Sequence, residues 1–502
     1  MKKISVLYIL LCVMMIAQAQ DKVVKINAGG LEDALAGNYA FTTLTISGSV
    51  DVRDFACINE NASHITSIDM SGCMVDGYDS RDERYMGYHT HFEAQSIPPS
   101  AFFGFASLER VVLPQGVRVI GEGAFAGCER LTTIDGGEYI AEIGDYAFSG
   151  CVELTRFMFS PTLRHIGDYA FDKCSQLLNV DVSKCHQLHY IGKRAFASAT
   201  SLMSFIFPER VSIIGDAAFA GCNALTDITM PQVESMGVGV WAACSSLQRI
   251  DVTNATLREL PAWTFSGCQS VTEVLLPKSV KSIGVGAFYY CNSLQRVELP
   301  IVLEYIDSFS FAGCDNLQSV TFIPDGVERI GRYAFYHDIA VDSVVLPASV
   351  SYIGDHAFDG CINAASFDTP REIPAELGEM VFANMDVEHK TLSVAAESVV
   401  IYESTAQWQD FGSIVGTTGI DDVTVCCDVE AVFEQYNLVV TSERELCDVR
   451  LYDVSGILLS HKTMRANEVI IDTHPFAANI YVLQVTTTDG RTAVTKVARV
   501  IC

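Results

Sequence analysis

Nine cysteines stand in one recurring column: Cys128, Cys151, Cys174, Cys222, Cys244, Cys268, Cys291, Cys314 and Cys361. Thiols in such numbers could hold metal, cross-link the chain or attack a substrate. Metal sites gather their ligands at short spacings such as Cys-x-x-Cys, and this column has none. Parallel side chains, an odd count and interruptions at Phe105, Ala199, Asp338 and Met385 argue against systematic pairing. The column therefore reads as buried free thiols that pack as small hydrophobic groups. Pairings among Cys57, Cys73, Cys185, Cys426, Cys427, Cys447 and Cys502 are left open by the sequence.

Other reactive groups lead no further. There is no His-Glu-x-x-His, no Gly-x-Ser-x-Gly and no phosphate loop; Gly192-Lys193 is followed by Arg194 inside a repeat. Gly121-Glu-Gly-Ala-Phe-Ala126 and Gly237-Val-Gly-Val-Trp-Ala242 match a dinucleotide fingerprint, but both coincide with repeat columns and neither sits in a strand-turn-helix unit. His186 and His189 read as an exposed loop. Asp76, Asp79, Asp82, Glu83, His89 and His91 lie in a polar insertion without calcium-loop spacing, which reads as a solvated loop. No catalytic residue, cofactor or metal ligand is assigned, and the chain is not expected to be an enzyme.

The elements behind these columns are repeats. An aromatic recurs as Phe102, Phe125, Phe148, Phe171, Phe196, Phe219, Trp241, Phe265, Phe288, Phe311, Phe335, Phe358 and Phe382, thirteen units with gaps of 22 to 25 residues. Five positions earlier stands Ile, Leu or Met; four earlier, Gly in ten of the thirteen; one earlier, a small or β-branched residue. A ring beside a small residue once per turn predicts an internal row, and the glycine predicts a corner pressed against its neighbour. Segments such as Leu108-Glu-Arg-Val-Val-Leu-Pro114 alternate inward apolar and outward polar residues up to a proline. Each coil is thus expected to give one short strand. A coil of this length cannot bury its apolar face alone, so stacked neighbours must supply the opposing surface.

The outward strand positions form the candidate binding face: Arg110, Thr133, Arg156, Asp227, Arg249, Asp251, Glu273, Arg296, Glu298 and Ser319. Their mixture of arginine, carboxylate and apolar neighbours suits a protein better than a sugar cleft lined by aromatics. Solvated strand residues without a partner would look the same.

The consensus Val-x-x-Ile-Gly-x-x-Ala-Phe-x-x-Cys-x-x-Leu-x-x-Val-x-Leu-Pro resembles the leucine-rich repeats of BspA-like bacterial surface proteins, over residues 64–416. The resemblance implies a mainly β solenoid and a surface adhesin that binds proteins of host or neighbouring cells. Residues 20–63 are expected to form an N-terminal cap. At the other end Tyr402, Trp408 and Phe411 resemble a closing segment, and residues 417–422 read as a linker. Residues 423–502 lose the period and predict a small all-β, sandwich-like domain, with a hairpin at Asp489-Gly490. Leu451-Tyr-Asp-Val-Ser-Gly456, Ile470-Ile-Asp472, Ile480-Tyr481 and Lys496-Val-Ala-Arg499 resemble the sorting domain of the type IX secretion system, which implies the secretion machinery as a partner. A purely structural immunoglobulin-like module is the alternative.

Charge and leader agree with export. With 33 Lys+Arg against 61 Asp+Glu the formal charge is −28, the wrong sign for coating phosphates, so nucleic acid is not expected. Lys2 and Lys3, the apolar Ile4–Ile16 and Ala17-Gln18-Ala19 read as a signal peptide over residues 1–19. No later run is long enough to cross a bilayer. The expected location is secreted or on the outer cell surface. The function expected is adhesion or protein binding, with carbohydrate capture and an enzyme with an unrecognised site as alternatives.

Overall fold

The computed structural model describes residues 21–79, 91–318, 323–417, 429–434, 437–453, 458–473, 480–488 and 492–498. The signal segment, Ser319, most of the linker and the Asp489-Gly490 hairpin lie outside them. The chain divides into two units, residues 1–392 with 401–414, and residues 393–400 with 415–502.

The first unit is a β solenoid of stacked coils. The coil around Phe125 shows how each is made. Val119–Ile120 is a two-residue strand that ends at Gly121. A tight loop then carries Ala124, Phe125 and Cys128 inward, and Thr133–Asp135 is a second strand on the opposite side. Two strands per coil replace the one expected. The two-residue kind forms a corner ladder, in which Ile120, Ile143, Ile166 and Ile191 lie side by side in parallel register. Two residues are too few to display an alternation, so this ladder leaves no period in the sequence.

The loop between the strands is also stacked. Phe102 N–H donates to the Ala124 carbonyl at 2.7 Å, Phe125 to Ala147 at 2.8 Å and Phe148 to Ala170 at 2.7 Å. To aim these groups along the stack, the residues two before and two after the aromatic adopt positive φ in all thirteen coils. The corner glycine has a different reason. A Cβ on Gly192 would stand 2.4 Å from the carbonyl carbon of Gly167 in the coil below, a contact no side chain tolerates. Beside it, Asp145 and Asp168 each accept the N–H of the next coil's matching residue, at 2.7 and 2.8 Å.

The rings form one continuous column. All twelve consecutive pairs from Phe102 to Phe382 stack, with centroids 5.0 to 6.3 Å apart and planes within 21°. The column is finished by rings turned edge-on. Phe55, on the helix Val52–Asn61, meets Phe102 at 5.8 Å, and Trp408 and Phe411 meet Phe382 at 5.3 and 5.2 Å. Asp51 and Asp54 close that helix as a capping box, and Asp54 also accepts the N–H groups of Gly29 and Leu31. The strands Asp21–Ile26, Thr43–Val50 and Ser67–Val75 continue in parallel register into Arg110–Val112, so cap and coils share one sheet.

The outer ladder, made of strands such as Thr133–Asp135, is interrupted. Arg156 to Met158 form no strand, and Ser204–Ile206 does not pair with Asp227–Thr229. Both places carry two phenylalanines at inward positions, Phe157 and Phe159, then Phe205 and Phe207, where closed coils carry Val180 and Val182 or Ile250 and Val252. Phe205 packs 4.7 Å from Phe219, and Phe207 packs 5.8 Å from it. Extra rings beside a column with fixed spacing push the strand away from its neighbour.

In the second unit the described residues from 429 onward are all β. Asn437–Asp453 pairs antiparallel with Val429–Glu434, Leu458–Asp472 and Ile480–Thr487, and the last pairs with Thr492–Ala498. Leu438, Val440, Leu446, Val449, Leu451, Val469, Ile471, Leu483 and Val485 form its core.

Candidate protein-binding face

The alternation of each outer strand decides which side chains meet solvent. In Arg249–Asp251 the central Ile250 is buried, and Arg249 and Asp251 face outward. Parallel register then sets Asp227, Arg249 and Glu273 side by side, with Thr229, Asp251 and Leu275 as a second row. An isolated bridge joins Leu275 to Glu298 and extends the patch by one coil; Arg296 is exposed on that coil. Arg110 and Thr133 are likewise adjacent, but on the sheet continuous with the N-terminal cap. Arg156 is exposed on the coil without a strand. Nine of the ten sequence-derived positions are therefore described. They fall into two patches with Arg156 between them in sequence, not one row; Ser319 lies outside the described residues.

Several of these charges are already engaged. Arg249 Nε donates to Glu273 at 3.0 Å and its terminal nitrogen to Asp251 at 3.3 Å. Arg110 pairs with Asp135 at 2.7 Å, and Arg130 with Glu109 at 2.7 Å. Asp251 sits below the usual carboxylate range: although burial opposes it, Thr253 and Arg249 supply hydrogen bonds and charge that favour its ionised form. Exposed pairs of this kind contribute little stability, about 0–1 kcal/mol each. They do hold the side chains in place, and with four arginines and four carboxylates among its nine described positions the face is mixed in charge.

The cysteine column does more than fill space. Every one of the nine points its thiol at the backbone carbonyl of the ring residue in the preceding coil, from Cys128 to Phe102 at 3.1 Å through Cys268 to Trp241 at 3.2 Å to Cys361 to Phe335 at 3.1 Å. All nine are free and buried. Burial pushes the thiols up, Cys128 and Cys291 to about 12, so none is poised as a nucleophile. The fingerprint glycines serve the coil: Gly121 is the corner and Gly123 one of the left-handed positions, with no helix after them. His186 and His189 are exposed, and Asp79 pairs with His91 at 2.6 Å in solvent. Among the described residues no three His, Cys, Asp or Glu side chains converge as a metal site requires, and no helix is long and apolar enough to cross a membrane.

The sequence reading passed over a row of rings outside the column. Tyr146 stacks on Tyr169 at 4.7 Å, and Phe309, Tyr333 and His356 stack at 5.0 and 4.7 Å. The signal was present: these residues stand two before the aromatic in their coils.

The BspA type leucine-rich repeat region matches residues 95–225, 189–301, 212–338 and 281–405, together more than half of the chain. Among solved structures, a leucine-rich repeat protein of Bacteroides ovatus is 23% identical, with 69% of this chain and 87% of that chain covered and a TM-score of 0.41. A leucine-rich cell surface protein of Faecalibacterium prausnitzii is 26% identical, covering 56% and 84%, with a TM-score of 0.39. The pneumococcal vaccine antigen PcpA is 16% identical, covering 75% and 85%, with a TM-score of 0.36. No curated protein matches the chain.

Proposed function

The chain belongs to the BspA-type leucine-rich repeat family, and from that premise we propose that it is an exported repeat protein that binds other proteins at the cell surface, as an adhesin does. The observation that carries this reading is the patch of Asp227, Arg249, Asp251, Glu273 and Leu275: outward side chains from three coils, held in register by backbone ladders and so bound at small ordering cost. The leader over residues 1–19 and the acidic charge support export. The test is capture of host and bacterial surface proteins by the chain, compared with an Arg249→Glu/Arg296→Glu variant. Retention of the same partners by the variant removes this face from the mechanism.

Residues 423–502 serve, in this reading, to pass the chain across the outer membrane through the type IX machinery. The support is the succession of motifs from Leu451 to Arg499 together with the all-β second unit. Deleting these residues should leave the chain in the periplasm; normal surface display would refute the assignment.

One observation favours carbohydrate capture instead. Trp263, Tyr290 and Tyr336 are partly exposed on the loop side of the coils, and aromatic rings are the usual platform for sugars. Trp263, however, lies over Gly286, where a Cβ would meet its ring at 2.3 Å, so part of the indole is already covered. Glycan-array binding that disappears in Trp263→Ala would favour this alternative.

A further inference from the structure

The break in the outer ladder between Ser204–Ile206 and Asp227–Thr229 opens a cleft of about 810 Å³. In closed pairs the residue after each strand donates its N–H to the last strand residue of the next coil: Leu113 to Asp135, Val182 to Ile206, Met230 to Asp251 and Val252 to Leu275, at 2.8 to 3.0 Å. The equivalent bond here would join Phe207 to Thr229, and none is made. Thr132 donates to Glu109 and Gln248 to Thr226 at the start of their strands, but Thr226 makes no such bond to Met203. The same two coils are closed elsewhere, with Ile191 opposite Ile214 in the corner ladder and Phe196 stacked on Phe219 at 5.5 Å. The opening is therefore local to the strand side, and each wall is a strand edge whose ladder groups have no backbone partner across it.

The rest of the lining has a definite chemistry. Met203 and Ile206 are half exposed at the rim. Glu209 and Asp227 bring two carboxylates without an ion pair among the described residues, Asp227 accepting only the neutral Thr226 hydroxyl at 2.7 Å, and none of the described lysines, arginines or histidines lines the cleft. Strand edges recognise another backbone, alternating apolar contacts recognise alternate side chains, and unpaired carboxylates recognise cations. We propose that this cleft takes an extended basic peptide segment of a partner protein, which completes the interrupted ladder as an added strand. The assignment deepens the protein-binding reading above and rests on it.

The probe is a fluorescein-labelled, end-capped TVKVKVT peptide titrated into the full chain by fluorescence polarisation. Three changes should each weaken its binding at least tenfold: N-methylation of alternate peptide amides, replacement of its lysines to give TVEVEVT, and the chain variant Glu209→Gln/Asp227→Asn. A Phe205→Val/Phe207→Val chain, with the inward residues of closed coils, should close the ladder and lose the peptide while keeping the far-ultraviolet spectrum of the parent. No binding at 1 mM peptide, or binding unchanged by N-methylation, overturns the proposal. The Arg249→Glu/Arg296→Glu chain should keep the peptide. Peptide binding by a chain that captures no surface protein would leave the cleft standing and sink the adhesion reading, and capture without peptide binding would do the reverse.

Discussion

Asp338 occupies a cysteine position in the column and is fully buried. Its Oδ1 accepts the Cys314 N–H at 2.8 Å, and its Oδ2 has no partner. Its column neighbours Cys314 and Cys361 bond the Phe288 and Phe335 carbonyls; the bond to Phe311 between them is the one Asp338 replaces. Desolvation is the largest influence on this carboxyl and raises it well above its ordinary value. A group that holds its proton more tightly folded than unfolded contributes stability at low pH. That contribution is lost as pH rises from the unfolded value toward the folded one. Each pH unit in that window costs about 1.4 kcal/mol, so the three units between the ordinary carboxyl value and neutrality set a ceiling of about 4 kcal/mol. An unpaired buried polar atom alone costs about 1–3 kcal/mol. Asp338→Cys should therefore gain about 2–4 kcal/mol at pH 7 and about 1 kcal/mol at pH 4. Cys314 keeps its own acceptor, the Phe311 carbonyl at 3.1 Å, so the change orphans nothing. Stacked coils need not unfold in one step, so the measurement is native-state hydrogen exchange of the amides from Phe311 to Phe358, with urea midpoints, across pH 4 to 7. A gain that does not vary with pH, or a variant less stable than the parent at pH 7, refutes the reasoning.

Phe171→Ala removes a ring stacked on both sides and should cost about 3–5 kcal/mol, read as a lower urea midpoint. Gly192→Ala sets a Cβ 2.4 Å from backbone and should destabilise its coil and the one below, whereas Gly104→Ala, with open space around it, should cost only about 1–2 kcal/mol for its left-handed backbone; equal costs would refute the corner argument. Lys173, exposed at φ +63°, should be more stable as glycine by about 1 kcal/mol. Iodoacetamide should label Cys128, Cys151 and the rest of the column only in denaturant, and labelling of the native chain at those positions by peptide mapping would contradict their burial.

The solenoid was legible because its strongest constraint repeats. A column of stacked rings tolerates little variation in size, so thirteen aromatics stand at near-equal spacing. A corner that leaves 2.4 Å for a Cβ tolerates only glycine in most coils. The outward residues followed from the two-residue period on either side of buried positions such as Ile228 and Ile250. What stayed hidden had backbone causes. The left-handed positions are glycine in some coils but Tyr146, Arg194 or His356 in others, because stacking hydrogen bonds impose the conformation on whatever residue stands there. The ion pairs of Arg249 depend on a register between coils that one coil's sequence does not contain.

The broken ladder shows how the two kinds of constraint compete. Phe205-Ile-Phe207 is plain in the sequence, yet its effect depends on which of two structures yields when the coil is overfilled. Fully burying a phenylalanine side chain is worth about 1.5–3 kcal/mol; Phe205 and Phe207 are partly buried and gain part of that, and Phe219 and Phe196 offer ring contacts besides. A surface ladder hydrogen bond is worth about 0.5–1.5 kcal/mol net, since water takes its place when it opens. Two rings against two or three such bonds favour the rings, and the strand edge gives way while the column keeps its spacing. A repeat protein can thus acquire a slot for a partner's backbone by enlarging two inward side chains in one coil, with no change to the columns that build the fold.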